Sequence, residues 1–250
     1  MLNLSRARQN AARICGLLLV FAGLSGVLPA AAETRLTPHR AEYKVSVSIF
    51  GGELNTELRA TENGYIATHV IRTTGMSKLL ASGNITDSAS FITTGPGLRP
   101  QSFHTNDSLT REKVKADIVF DWELDEARGT VNDTAYEASI DAHAFDRVSL
   151  QYELMSDLMN GNSTAEYVLF DVDEIKTISV RHIGSRKISV PAGDFLAVGV
   201  QHQTEGSKRV TTMWCVKELD YLPVVVEQHR KGKLRMRAEL RSYTPLKSKT

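Results

Sequence analysis

The sequence predicts a mainly β fold in which a single α-helix packs into the concavity of a curved sheet. Three observations carry this expectation. Apolar and polar residues alternate along most of the chain after residue 40, the period of a half-buried strand. Turn residues punctuate those runs at short intervals. One convincing helical stretch, Asp146 to Asn160, repeats its apolar residues at helical spacing.

Taken in order, Tyr43, Val45, Val47 and Ile49 are expected on one face of a first strand, with Glu42, Lys44, Ser46 and Ser48 on the other. Gly51-Gly52 is expected to turn the chain. Leu54 to Ala60 reads as a second strand, Asn63-Gly64 as a tight hairpin and Tyr65 to Thr73 as a third strand. Thr94 to Pro100, with Gly95-Pro96-Gly97 at its centre, reads as a rigid loop. Val114, Ala116, Ile118, Phe120 and Trp122 then alternate with Lys113, Lys115, Asp117, Val119 and Asp121, and the turn Asp125 to Gly129 leads to one strand near Thr130 to Ile140. Further strands are expected at Tyr167–Phe170, Ile175–His182, Phe195–Gln203, Arg209–Val216, Val224–His229 and Leu234–Tyr243. Gly184, Pro191-Ala192-Gly193, Gly206 and Lys231-Gly232-Lys233 separate most of them.

In the helix, Asp146 can cap the N-terminus and Gly161 can end it. Val148, Tyr152, Met155 and Met159 form a stripe with Leu150, Leu154 and Leu158 beside it. Ser149, Glu153, Ser156, Asp157 and Asn160 leave only a narrow polar arc. An apolar arc this wide is expected to meet protein on more than one side.

The first thirty-two residues read as a secretory signal peptide. Arg6, Arg8 and Arg13 make a positive start, Ile14 to Leu28 is apolar, Pro29 breaks the helix, and Ala30-Ala31-Ala32 suits a signal peptidase cutting after Ala32. The apolar run is about fifteen residues, short of the roughly twenty of a membrane span. Cys15 precedes the apolar run and so does not suit lipid attachment. No later segment is apolar enough to span, so the expectation is release from the membrane into an envelope compartment, with 33–250 as a single domain. The exported chain keeps one cysteine, Cys215, expected to be a buried structural thiol. Removing the three arginines leaves 27 basic against 29 acidic residues, a net of −2. That balance argues against nucleic acid as a partner, which demands a basic excess.

Catalytic signatures are absent from the sequence. It has no HExxH, GxSxG, Walker loop or Ser-x-x-Lys. Its seven histidines stand at no metal-ligand spacing, and His69, His182, His202 and His229 fall in expected strands. Asp171, Asp173 and Glu174 lack the glycine and the later glutamate of a calcium loop. The expectation is therefore a protein that is not an enzyme and needs no metal or other cofactor. Arg230, Lys231, Lys233, Arg235 and Arg237 make a basic hairpin, read as a charged face that blunts a terminal hairpin against aggregation, or as a patch that steers toward anionic lipid or another polyanion.

Several spaced motifs occur together. They are Thr73-Thr74-Gly75 with Ser77-x-Leu79-Leu80, Gly97-Leu98-Arg99-Pro100, Asp146-x-x-Ser149-x-x-Tyr152, Val190-Pro191-Ala192-Gly193-Asp194-Phe195, and Trp214 followed by Tyr221-Leu222-Pro223-Val224. In this order they resemble the proteobacterial envelope family catalogued as domain of unknown function 3108, from about Ala41 to Tyr243. Cys215 departs from the pattern, standing where a small or apolar residue is expected. The resemblance implies a periplasmic protein with a long, strongly curved antiparallel sheet, a half-barrel or β-spiral, wrapped around one central α-helix. It implies no catalytic residues.

Two functions suit such a chain. One is a binding module for a lipid, a lipoprotein acyl group or another envelope hydrophobe, held by Tyr152, Met155, Met159 and Trp214, with the methionines as adaptable contacts. The other is a structural or protein-interaction factor that supports the envelope through exposed sheet edges and takes no small ligand. An apolar cavity of several hundred Å³ would favour the first, since ligand sites run to about 300–1,000 Å³.

Overall fold

The computed structural model describes residues 35–79, 81–95, 97–140, 144–162, 166–172 and 174–247. The expected signal peptide and cleavage site lie outside the described residues.

Alternation does what it should at the start of the chain. In β1 (His39–Val47), His39, Ala41, Tyr43 and Val45 are buried and Arg40, Glu42, Lys44 and Ser46 are exposed. The chain then reverses at Ser48-Ile49, where Ser48 takes a positive φ of 55°, and not at Gly51-Gly52. Ile49 sits on this turn, exposed, instead of on the buried face. Both glycines belong to β2 (Phe50–Ala60). At Gly52 a Cβ would stand 2.9 Å from the Arg72 carbonyl oxygen, so the residue is small because another backbone lies against it.

The meander continues through β3 (Gly64–Thr73), β4 (Asn84–Thr94), β5 (Gly97–Asp107), β6 (Val114–Asp121), β7 (Glu126–Val131) and β8 (Thr134–Ser139). A 3-10 turn, Gly75–Leu79, joins β3 to β4. The expected rigid loop at Thr94–Pro100 is instead a tight hairpin, with Thr94 paired to Gly97. The expected single strand at Thr130–Ile140 is split by a hairpin at Asn132-Asp133, both at positive φ. These residue types tolerate the left-handed region better than most.

After β8 come the short β9 (Ala144–Asp146) and α1 (Ser149–Asn160), then β10 (Glu166–Asp171), β11 (Glu174–Val190), β12 (Gly193–Thr204), β13 (Arg209–Val216), β14 (Leu222–Arg230) and β15 (Lys233–Pro245). Gly184 does not end a strand. It lies in a register shift between His182 and Ser185 that lets β11 run on for 17 residues.

All fifteen strands form one open, curved sheet in the order β8-β7-β6-β5-β4-β3-β2-β1-β15-β14-β13-β12-β11-β10-β9. Every neighbouring pair is antiparallel except β9–β10. The first and last halves of the chain are stitched together by β1 and β15. The sheet's distant parts meet across the core: Phe170 of β10 packs edge-on to Phe120 of β6 and Tyr136 of β8, with centroids 5.6 and 5.8 Å apart.

The helix starts later than expected. Asp146 is the last residue of β9, and the helix begins at Ser149. Asp146 still satisfies the helix start from outside: Oδ1 accepts from the Val148 and Ser149 N–H groups at 2.8 and 3.0 Å, and Oδ2 from the Ser149 hydroxyl at 2.6 Å. Gly161 ends the helix in the left-handed conformation, φ 71°, as expected. The helix packs against β4, β5 and β9. Its polar arc is not a solvent stripe, for Ser149, Glu153, Ser156 and Asp157 are all buried. No helix among the described residues is long and apolar enough to cross a membrane.

Candidate functional site: an apolar cavity beside a buried polar cluster

The inward face of β1–β3 and of β14–β15 is apolar but not filled. Tyr43, Val45, Leu54, Ile71, Val226 and Met236 line a cavity of about 810 Å³, within the range of small-molecule sites. Its inner part is bounded by Thr56, Pro223 and Gln151 of the helix. Its outer part runs between Val47–Gly52, Ala81-Ser82 and Ser108–Arg111, at one end of the sheet. Tyr43 is fixed across the cavity's wall by its hydroxyl, which donates to the Pro223 carbonyl at 3.0 Å.

A polar cluster sits next to this cavity. Thr56 pairs in register with His69, and Gln151 precedes Tyr152. The Tyr152 hydroxyl is 3.5 Å from His69 Nε2, and the Tyr152 ring stacks on Phe91 at 5.5 Å. His39 flanks the same tyrosine, ring centroids 6.3 Å apart. Its Nδ1 donates to the Thr37 carbonyl at 2.8 Å, so Nε2 is left as a buried acceptor without a partner. Burial pushes the His69 pKa down to about 4, despite the attraction of Asp87, and raises the Tyr152 phenol. Both are neutral near pH 7.

Asp87 is engaged elsewhere. Arg147 forks onto it, Thr105 donates to it at 2.7 Å, and the guanidinium lies 5.4 Å from the Phe103 ring centroid. The Asp87 and Thr105 side chains come from β4 and β5, and Arg147 from the link between β9 and α1. The cluster thus locks the helix start onto the sheet.

The four side chains singled out from the sequence lie apart from the cavity lining. Tyr152 and Met155 are fully buried core residues, and Met159 is half-buried against that core. Trp214 lies under Arg186, whose Cζ is 3.9 Å from the ring centroid, and its indole abuts Gly199, where a Cβ would come within 2.8 Å. None of the four lines the cavity, and Gln151 is the helix residue that does. The lining residues were in plain view as the inward faces of alternating strands. What the sequence does not carry is which stretch of that face stays uncovered.

Other groups act structurally. Cys215 is buried, and burial raises its thiol pKa to about 12. Among the described residues no group of three or more His, Cys, Asp or Glu is placed to hold a metal ion.

A crystal structure of a β-barrel-like protein of domain of unknown function DUF1849 from Brucella abortus has the same fold. It superposes with a TM-score of 0.58 at 14% identity, over 85% of this chain and 99% of that one. Two weaker likenesses each cover 85% of this chain and 97% of the other. One is a candidate lipoprotein from Parabacteroides distasonis (TM-score 0.37, 14% identity) and the other a candidate exported protein with a YmcC-like fold from Bacteroides fragilis (TM-score 0.33, 12% identity). No curated protein matches the chain. The family model for the protein of unknown function DUF3108 matches residues 40–239, and the chain belongs to that family.

Proposed function

We propose that this is a non-catalytic binding protein of the periplasm that holds an elongated apolar molecule, such as a lipid or a lipoprotein acyl group, in the cavity lined by β1–β3, β14 and β15. The observation that carries this reading is the cavity itself: about 810 Å³, apolar side chains from five adjacent strands of the curved sheet, and an outer part at one end of the sheet. In this reading the curved sheet wraps around the helix, and Gln151 of the helix bounds the cavity's inner part. The polar groups beside it support binding over chemistry, because His69 and Tyr152 lie outside the cavity lining and Asp87 is tied to Arg147. The leader of the sequence, with its arginines, short apolar run and Ala30-Ala31-Ala32, supports export from the cytoplasm.

The test is binding of a fluorescent fatty acid to delipidated protein, with native mass spectrometry of material purified from its own periplasm. Wild-type protein should bind at micromolar concentration, about −8 kcal/mol. Ile71→Trp, which fills the cavity from its wall, should weaken binding at least tenfold while leaving circular dichroism unchanged. Wild-type protein that retains no lipid and binds no probe overturns the reading. The protein-interaction alternative would then use the open edge strand β8 for strand addition.

A further inference from the structure

Backbone hydrogen bonds tie in five of the connections at the end of the sheet where the cavity's outer part lies. Ser48 N–H bonds to the Arg235 carbonyl at 3.3 Å, which places the β1–β2 turn beside the start of β15. Thr74 N–H bonds to the Gly51 carbonyl at 3.0 Å, bringing in the 3-10 turn after β3. Ser108 N–H bonds to the Asn84 carbonyl at 2.9 Å, which adds the β5–β6 loop. Lys231 N–H bonds to the Lys208 carbonyl at 3.0 Å, joining the β12–β13 and β14–β15 turns.

This end combines two features that a soluble surface does not need. The first is exposed apolar bulk. Ile49 is 85% exposed, Met76 and Leu79 77% each, and Leu234 49%, each at or beside one of these turns. The second is a run of cations without counter-ions. Arg209 stands directly across from Arg230, and Arg230 from Lys233, so three like charges lie in register on three adjacent strands. Directly opposed like charges destabilise a sheet. Neither they nor Lys231, Lys78 and Arg111 form an ion pair among the described residues. Protecting an edge cannot be their purpose, because β13, β14 and β15 are each paired on both sides. The acids at this end are Glu112 and Glu205, with Asp107 bonded to the Leu109 and Thr110 N–H groups, Asp133 paired with Lys115, and Asp171 and Glu174 held by Lys176. The connections at the opposite end of the sheet carry Glu62, Glu123, Asp125, Glu218 and Asp220 against Lys217, with Arg35 and Lys247 in the terminal segments there. A chain of net charge −2 after its leader is thus polarised along the strands.

We propose that this end docks on an anionic lipid bilayer. The cations meet the headgroups, and Ile49, Met76, Leu79 and Leu234 enter the interfacial layer, a pairing of basic and apolar residues that suits such surfaces. Docking sets the outer part of the cavity against the membrane, but it does not depend on the cavity being filled.

Flotation with vesicles tests this. The purified protein should float with phosphatidylglycerol–phosphatidylcholine vesicles, remain behind with pure phosphatidylcholine, and detach as salt rises from 50 to 500 mM. Lys231→Glu with Lys233→Glu should cut the floating fraction at least tenfold, and so should Ile49→Ser with Met76→Ser. All four positions are exposed, so circular dichroism should be unchanged. A tryptophan at the turn, Ile49→Trp, should show a blue-shifted emission on anionic vesicles. Failure to float with anionic vesicles, or flotation that neither double variant alters, overturns the proposal. Salt-sensitive binding to soluble polyphosphate without flotation overturns it in favour of a soluble polyanion. Fatty-acid binding is read separately, so a failed ligand test leaves this result standing, and the reverse.

Discussion

Arg147 and Asp87, sixty positions apart in the chain, face each other as a two-pronged pair: Nε to Oδ2 at 2.9 Å and Nη2 to Oδ1 at 2.6 Å. Thr105 completes the set, bonded to both. The pair joins β4 to the link that carries the chain from β9 into the helix, so it fixes where the helix enters the sheet.

Breaking one partner should cost more than removing both. Asp87→Ala leaves the half-buried guanidinium with Asp171, 3.8 Å away, as its remaining counter-charge, whereas the double variant Asp87→Ala/Arg147→Met leaves neither charge of the pair. A fully buried pair broken on one side typically costs about 3–5 kcal/mol. The Arg147 side chain is 36% exposed, so about 2 kcal/mol is expected for Asp87→Ala. Urea denaturation of the single and double variants measures it. A double variant as unstable as the sum of its singles would remove the coupling.

The helix core gives a graded expectation. Met155 is buried and Leu158 only partly so. Met155→Ala should lose about 2–5 kcal/mol and Leu158→Ala clearly less. Equal losses, or a Met155→Ala loss below about 0.5 kcal/mol, the size of an ordinary surface change, would contradict this packing.

How far the sequence reaches can be judged from particular residues. Strands were legible wherever one face is buried and the other wet, as in β1 and β6, because the period is then visible. Reversals were harder. Asn132-Asp133 is a hairpin inside what reads as one strand, and Gly184 sits in a register shift within a strand that its residue type is expected to end. In both places local chemistry allows either outcome, and strand pairing decides. The helix was legible in its middle and at Gly161, but the burial of its polar arc was not. A helical wheel shows that Glu153 and Asp157 are polar; it does not show that the partners of Glu153 and Asp157 are the Leu98 N–H and the Tyr167 hydroxyl. The cavity was legible only as an apolar face. Its volume depends on which inward side chains the helix reaches, and that is set by the register of strands far apart in sequence.

Cys215 should behave as an inert thiol. It lies beside a register shift in β13, buried, with its pKa raised to about 12 by burial. The reactive thiolate is therefore scarce near neutral pH. Labelling by a disulfide reagent at pH 8 should be slow in the native protein and complete within minutes in denaturant. Fast native labelling, or a covalent dimer on a non-reducing gel, would contradict it.

Glu153 should give the protein an unusual dependence on pH. Its Oε2 accepts the Leu98 N–H at 2.7 Å, and Oε1 lies where a Cβ on Gly97 would come within 2.9 Å, so the carboxyl holds the β4–β5 hairpin against the helix. Burial raises its pKa to about 7, the Leu98 hydrogen bond opposing and Asp157 adding to the rise. A carboxyl whose folded pKa lies above its unfolded value of about 4.5 favours the folded state when protonated. Its stabilising contribution is fully present below pH 4.5 and fades as pH climbs through 7. Asp146, raised to about 6 by burial, acts in the same direction. His69 and His202, both lowered to about 4, act in the opposite one, losing stability as pH falls from 6.5 toward 4. Whole-protein stability therefore mixes the two, and the difference between wild type and Glu153→Gln isolates one. Glutamine keeps the acceptor and removes the titration. Relative to wild type, the variant should gain stability between pH 5 and pH 8.5, on the order of 2 kcal/mol. Thermal unfolding of both proteins across that interval is the measurement. A constant difference would mean that Glu153 does not titrate there, and a difference that shrinks with rising pH would reverse the assigned sign.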